Sequence, residues 1–491
     1  LCGINGKVNP RGVTEQEIRA MNNALAHRGP DDEGIFVNGM VGLGQRRLSI
    51  IDLGGGHQPM SINNSELWIV CNGEIYNYRE LRQRLEGRHT FNTNSDIEVI
   101  LHLYEEMGEA CVRELRGMFA FAIWDTKERK LFMGRDHLGQ KPMFYTHKGD
   151  QLSFASEIKA LLVDDPSTRQ MNAEALHQYL TLRIIAPPRT MYTGVHKLPP
   201  AHTLTFKDGK VKIQRYWTLT YEPKLRLKES EIIDQLEEQM LESVKYHMVS
   251  DVPVGAFLSG GMDSSTIVGM MSRLTDTPIK TFSVGVPYEN YSELPYANKV
   301  AEKFGTQHFT DEIFPSLIRI LPELVYHLDE PSDPLSACMF YISEMASREV
   351  KVVLGGDGGD ELFGGYDRYF GNRYMQYYAL MPKALRQHLM TRIINKVPDG
   401  FWYKSMSQKL KWVNELSFVD NNSRYARSLG HFYFTERFRN ELYGDRLVNA
   451  VGRYDPEQAI SYYFSSSNAK DIVDKMLFAD SMIRLPDHPV M

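Results

Sequence analysis

Ser259-Gly260-Gly261-Met262-Asp263-Ser264-Ser265 follows the apolar run Val254-Gly255-Ala256-Phe257-Leu258 and precedes a segment whose pattern predicts a helix over 266–273. A loop that joins a buried strand to a helix N-terminus is an anion site, because free backbone N–H groups and the positive end of the helix dipole point into it. Paired glycines let the main chain approach a ligand closely, and the serine hydroxyls add donors. Asp263 has the wrong charge for phosphate unless a divalent cation stands between them. The loop is therefore read as a pyrophosphate and magnesium cradle, against the bland alternative of a Gly/Ser-rich turn.

Downstream, the apolar strand 280–286, a helix over 293–304 and short strands near 307–309 and 351–354 alternate. That alternation predicts an α/β doubly wound parallel sheet with ligands at the carboxyl ends of its strands, where Leu258 and Val284 bound an adenine or ribose pocket. The strand 351–354 ends in Gly355-Gly356-Asp357-Gly358-Gly359-Asp360-Glu361-Leu362-Phe363-Gly364-Gly365-Tyr366, whose first six residues set four glycines around two acids. Alone this is a loop or a calcium-like turn; after a pyrophosphate loop, a second metal carboxylate is expected. Ser259 to Ser265 resembles the signature of ATP pyrophosphatases, which split ATP between its α and β phosphates, and no G-x-x-x-x-G-K-[ST] string occurs. The second loop resembles the second signature of glutamine-hydrolysing asparagine synthetases. The resemblance implies that Ser259, Gly260, Gly261, Ser264, Ser265 and Gly356 surround ATP and that Asp263 and Asp360 hold Mg2+. It also implies that Asp357, a position where some relatives have Glu, helps to activate the acceptor carboxylate.

With 491 residues the chain is too long for one core. A net charge of -6 with no basic block argues against nucleic acid, and no apolar stretch reaches the length of a membrane span. Four cysteines (Cys2, Cys71, Cys111, Cys338) without a C-x-x-C pair fit neither a disulfide framework nor a cysteine zinc site. A reducing cytoplasmic location is expected, with the sequons at Asn63, Asn290 and Asn421 as chance matches.

Leu1-Cys2-Gly3-Ile4 places a cysteine almost at the start. Behind it come His27-Arg28-Gly29-Pro30-Asp31, Arg47-Leu48-Ser49-Ile50, Cys71-Asn72-Gly73-Glu74-Ile75 after an apolar strand, and Asn94-Ser95-Asp96 before a helix over 97–107. Singly, Asn72-Gly73 is a hairpin turn, Ser95 or Asp96 an N-cap and Arg47 a surface cation. Together they resemble the glutaminase domain of class II glutamine amidotransferases, which are N-terminal-nucleophile hydrolases. Carboxamide hydrolysis needs a thiol, preset oxyanion donors, a cation for the substrate carboxylate and anions for its ammonium. The resemblance assigns these to Cys2, to Asn72 with the Gly73 N–H at a tight turn, to Arg47, and to Glu74 with Asp96, near the main chain of Leu48 and Ile50. The family starts Met-Cys, so the expectation is a mature chain that begins at Cys2 with its α-amine as base.

The expected architecture is an α+β N-terminal-nucleophile hydrolase sandwich (αββα) over 1–218, a connection over 219–228, and an ATP-pyrophosphatase domain over 229–491 whose last part is helical. The segment 229–249, with Ile233, Leu236, Met240 and Val244 at helical spacing, is read as a packing helix, and Tyr374, Tyr377 and Tyr378 as core. The resemblance implies a chain that continues past Met491 toward a lysine on the adenylate. It further implies glutamine- and ATP-dependent amidation of a carboxylate, foremost aspartate, through an acyl-adenylate with release of AMP and pyrophosphate, and a dry passage for ammonia between the domains. Another carboxylic acid, lactam formation and a non-catalytic sensor are the alternatives. A homodimer is among the oligomeric states that the sequence leaves open.

Overall fold

A computed structural model of the chain describes residues 2–62, 65–287, 292–314, 316–331, 336–398, 405–430 and 436–487. Leu1, the sequons at Asn63 and Asn290, and residues 488–491 lie outside them. The N-terminal half supplies β1 (Gly3–Val8), β2 (Asp32–Asn38), β3 (Val41–Arg47), β4 (Met60–Ile62), β5 (Leu67–Ile75) and β6 (Gly117–Asp125). It continues with β7 (Lys130–Arg135), β8 (Phe144–Lys148), β9 (Gln151–Ala155), β10 (Val195–Lys197), β11 (His202–Lys207) and β12 (Lys210–Arg215). These strands form two six-stranded sheets, β10-β8-β9-β1-β3-β2 and β12-β11-β7-β6-β5-β4, with antiparallel pairing throughout.

The period of two along a strand decides which residues meet. On β5, Val70 faces the other sheet and packs with Ile4, Leu43 and Phe154, while Ile69, Cys71 and Ile75 turn outward onto the helices Tyr78–Leu85 and Glu98–Met107. The first sheet is covered on its outside by Ile18 and Met21 of Glu15–Ala24 and by Leu161 of Ile158–Asp164. The result is the expected αββα sandwich. Asn72 and Glu74, sharing the parity of Val70, point to the inter-sheet side at one end of it.

Asn72 and Gly73 do not form a turn, which corrects the expectation. They continue β5, opposite Ala120 and Phe119 of β6. Nine residues in register hold the strand straight through an Asn-Gly pair, so long-range pairing overrides the local turn preference.

The C-terminal half contains β13 (Val254–Phe257), β14 (Lys280–Gly285), β15 (Gln307–Glu312) and β16 (Val352–Leu354) in one parallel sheet ordered β15-β14-β13-β16. From β13 the chain winds outward through β14 to β15, then returns to the other side of β13. The crevice between β13 and β16 is thus the topological switch point, where open α/β sheets bind ligands. Val268, Ala297 and Ala301 of the helices Met262–Ser272 and Leu294–Phe304 pack with Ala256, Leu258 and Leu354 on one face. Ile342 and Ala346 of Ser336–Ser347 pack with Phe282 on the other. The remainder is helical, including Leu317–Leu328, Asp367–Tyr378 and Asn421–Gly430.

Three further expectations are corrected. The helix after the first glycine loop begins at Met262, within the motif, because Gly261 caps it in an extended conformation. Glu229–His247 forms as a helix but buries only Val244 fully, and Ile233 is 54% exposed. Tyr374 and Tyr377 are surface residues, 69% and 65% exposed, on the outer side of a helix whose Tyr369, Asn372 and Met375 face inward.

Candidate active sites

One small pocket at the end of the sandwich is lined by Cys2, Arg47, Leu48, Ile50, Gly73, Glu74 and Asp96. Cys2 immediately precedes β1, Arg47 ends its neighbour β3, and Glu74 comes from β5 of the facing sheet. The Cys2 thiol lies 3.7 Å from the Leu48 carbonyl, and burial pushes its pKa up. Arg28 donates from Nε to the Cys2 carbonyl at 2.9 Å and from Nη1 to Glu157 at 2.8 Å, fixing the backbone that carries the thiol.

The Arg47 guanidinium donates to the carbonyls of Ile51 and Asp52 at 2.9 and 2.8 Å and has no carboxylate partner among the described residues. It is oriented yet not neutralised, as a clamp for a substrate carboxylate must be. Opposite it, burial and the negative charge of Asp96 raise Glu74 well above the usual carboxylate range, and burial lifts Asp96 to about 6. Two buried acids that repel each other are a ready site for an ammonium. Asp96 accepts from the Ile75 N–H at 2.7 Å, which ties it to β5. Ile97, not Asp96 or Ser95, is the residue that caps the following helix.

Asn72 is fully buried, and neither end of its side-chain amide has a partner among the described residues. Leaving such a group unpaired is costly, so its retention points to a ligand atom that completes it. At Gly73 a Cβ would lie 2.1 Å from the Met118 carbonyl, so only glycine allows β6 this close.

The sequence did not single out Gly56, Gln58 or Lys141. A Cβ on Gly56 would stand 2.2 Å from Arg47 Nη2, and Gln58 accepts from the Cys71 N–H at 2.7 Å. Lys141, lowered to about 8 by burial, feels the charges of Asp136, Glu74 and Cys2. A His-Gln-Pro string and a Gln-Lys-Pro string carry no local pattern that would have marked them.

The second site sits at the switch point. Gly260 has φ +79°, and a Cβ there would lie 2.5 Å from the Ala297 nitrogen, so the loop is wedged against the next helix. Ser259 Oγ accepts from the Gly261 N–H at 3.1 Å and meets Ser264 Oγ at 2.9 Å, which closes the loop on itself. Ser265 Oγ is buried without a partner among the described residues. Leu258, 2% exposed, directs its side chain into the core, leaving its main chain toward the loop, while Val284 is half-buried on β14.

The second glycine loop closes over the first. A Cβ on Gly356 would meet the Ser264 nitrogen at 2.8 Å, and one on Gly359 would meet Asp263 Cγ at 2.6 Å. Asp360 is raised by burial and then by the negative charge of Asp263. Asp360 beside the Asp263 carboxylate fits a shared hard cation with oxygen ligands, and the donor set suits Mg2+. Asp357 on the same loop is exposed.

A further cavity is lined by residues of both halves, among them Arg28, Glu157, Lys197, Asp329 and Pro486. Its walls carry ion pairs, Lys197–Glu330 at 2.8 Å and Lys159–Asp329 at 3.1 Å, so its lining is charged. The Ser156-x-x-Lys159 spacing serves structure here: Ser156 Oγ accepts from Ile4 N–H at 3.0 Å, and Lys159 pairs with Glu157 and Asp329.

Comparison with known proteins matches residues 1–217 to the family described as a glutamine amidotransferase domain and residues 235–482 to the family described as asparagine synthase. The chain is similar to asparagine synthetase [glutamine-hydrolyzing] 1 of Bacillus subtilis, 35% identical over 98% of this chain and 75% of that protein. It is 38% identical to a putative asparagine synthetase [glutamine-hydrolyzing] 2 of Methanocaldococcus jannaschii, over 90% of this chain and 89% of that protein. Amidase chry2 of Gibberella zeae is 28% identical over 94% of this chain and 76% of its own length.

Proposed function

We propose a function from one premise: this chain belongs to the glutamine-hydrolysing asparagine synthetase family and is a glutamine-dependent ligase. It amidates a carboxylate, foremost the β-carboxylate of aspartate, by transferring AMP from ATP to that carboxylate, releasing pyrophosphate and letting ammonia from glutamine displace AMP. The observation that carries this reading is the adjacency of the two glycine loops at the ends of β13 and β16, which joins Asp263 to Asp360 over an anion-binding helix start.

In residues 1–218, Arg47 takes the α-carboxylate of glutamine and Glu74 with Asp96 its ammonium, which aims the side-chain amide at Cys2. The thiol attacks the amide carbon while the α-amine of Cys2, free in a mature chain that begins at Cys2, accepts the proton and passes it to the departing ammonia, and the oxyanion is met by Asn72 Nδ2 and the Gly73 N–H. Ammonia leaves, and water hydrolyses the thioester.

In residues 229–491, Ser259, Gly260, Gly261, Ser264 and Ser265 receive the pyrophosphate group as it departs. Mg2+ on Asp263 and Asp360 would neutralise phosphate charge there. Gly356 allows the nucleotide close to the main chain, with Leu258 and Val284 beside it, and Asp357 orients the acceptor. Glutamine, ATP and an aspartate-like acid are the small-molecule partners.

A second reading, amidation of a different carboxylic acid, is favoured by the likeness to a protein named an amidase. Pyrophosphate release with glutamine and ATP, screened across carboxylic acids, separates the two. Release stimulated by aspartate with formation of asparagine supports the first, and release with another acid alone supports the second. Cleavage of ATP to ADP would overturn both.

A further inference from the structure

On the outer helical layer of the N-terminal half, far in sequence from Cys2 and on the opposite side of β5 from Asn72, His89, His102 and Glu105 converge. Each offers a ligand atom, and these atoms lie within 4.8 Å of one another. His102 is 3% exposed, and neither of its ring nitrogens has a hydrogen-bond partner among the described residues. A neutral imidazole carries one donor and one acceptor, so burying both with only carboxylates at 3.7 and 3.9 Å beside them calls for an explanation.

The orientation of the rings supplies one. His89 Nδ1 lies 3.3 Å and His102 Nδ1 3.9 Å from the same oxygen, Glu105 Oε2. The other ring nitrogen of each histidine faces a different carboxylate: His89 Nε2 meets Glu106 at 2.8 Å, and His102 Nε2 stands 3.7 Å from Glu98. Two imidazoles that turn one nitrogen to a common point and back the other with an acid repeat the carboxylate–histidine–metal arrangement. Tetrahedral zinc, with ligands at about 2.0–2.1 Å, sets ligand atoms about 3.4 Å apart, so the three atoms, at 3.3 and 3.9 Å from Glu105 Oε2 and all within 4.8 Å of one another, would draw in by side-chain rotation as an ion binds. Three carboxylates (Glu98, Glu105, Glu106) surround the two rings, Arg88 pairs with Glu106, and Phe91, with Arg82 stacked on it, walls one side against His102. A dication balances the excess of acids.

We propose that His89, His102 and Glu105 form a structural divalent-metal site of the zinc type, with the fourth position open to solvent beside the exposed Glu105. The site ties the helix Glu98–Met107 to the loop before it. Glu98, which backs His102, also accepts from the N–H groups of Asn92 and Thr93 at 2.7 and 2.8 Å, so a bound ion braces the segment that leads into Asp96. Magnesium does not compete, because it prefers an all-oxygen octahedral shell.

The test uses the full chain, stripped with EDTA and titrated with Co2+, and with Zn2+ against a chromogenic chelator. The expected result is one ion per chain, the strong visible absorption of four-coordinate cobalt, and a Zn2+-dependent rise in thermal midpoint. Glu105→Gln, on an exposed side chain, and His89→Gln lower the affinity more than tenfold and remove the thermal shift, while glutamine hydrolysis in metal-free buffer is unchanged. Absence of stoichiometric uptake, the weak spectrum of six-coordinate cobalt, or Glu105→Gln binding Zn2+ as tightly as the unaltered chain would each overturn the proposal.

Discussion

The Asn72 amide is where a structural role and a catalytic role make opposite forecasts. A structural asparagine loses hydrogen bonds when removed; this one has none to lose among the described residues. Asn72→Ala therefore lowers kcat for glutamine hydrolysis by about 10²–10³-fold, the usual effect of deleting one oxyanion donor, with little change in thermal midpoint. Steady-state glutaminase assays beside thermal unfolding decide it, and a large loss of stability would return Asn72 to the fold.

Asp96 carries a pH dependence of known sign. Burial raises it from 3.8 to about 6, so the folded chain holds the proton more tightly than the unfolded one. Its contribution to stability is complete below about 3.8 and is lost as pH rises through about 6. Binding of a glutamine ammonium runs the other way and needs the carboxylate ionised. In Cys2→Ala, where no chemistry follows, glutamine affinity measured by calorimetry weakens as pH falls below about 6. Asp96→Asn binds weakly at every pH and loses that dependence.

The strand–loop–helix unit from β13 to Ser272 concentrates its constraint at Gly260. A side chain at its positive φ costs about 1–2 kcal/mol in backbone strain alone, and the Cβ would further collide with the helix Leu294–Phe304. Gly260→Ala is expected to lower ATP–pyrophosphate turnover at least tenfold while glutamine hydrolysis at the other end of the chain persists, as parallel assays of the two half-reactions would report. At this scale the sequence was partly legible. The apolar run placed β13 and the glycines placed the loop, but the helix starts at Met262 because the serines and Asp263, usually read as loop formers, serve as its first turn. In β5 the error ran the other way. Asn72-Gly73 carries turn chemistry, and nine paired residues of β6 outweigh it.

The two halves meet through buried ion pairs that no local pattern announces. Lys197 and Glu330 are each about nine-tenths buried and 2.8 Å apart, and Glu330 also accepts from the Met191 N–H at 2.5 Å. Lys197→Met leaves the carboxylate buried without its cation, a loss of about 3–5 kcal/mol. The expected outcome is an earlier denaturant transition and a lower ratio of product formed to glutamine hydrolysed. A normal ratio would show that this contact does not couple the halves. The sequence by itself determined which residues carry chemistry and, in outline, which segments are strands, because side-chain period and loop composition are local properties. The tertiary structure alone decided that β16 lies beside β13, that Asn72 and Glu74 face Cys2 across two sheets, and that the buried His102 converges with His89 and Glu105. Those outcomes depend on backbone pairing and on burial summed over the whole chain, and neither is written in any one stretch of residues.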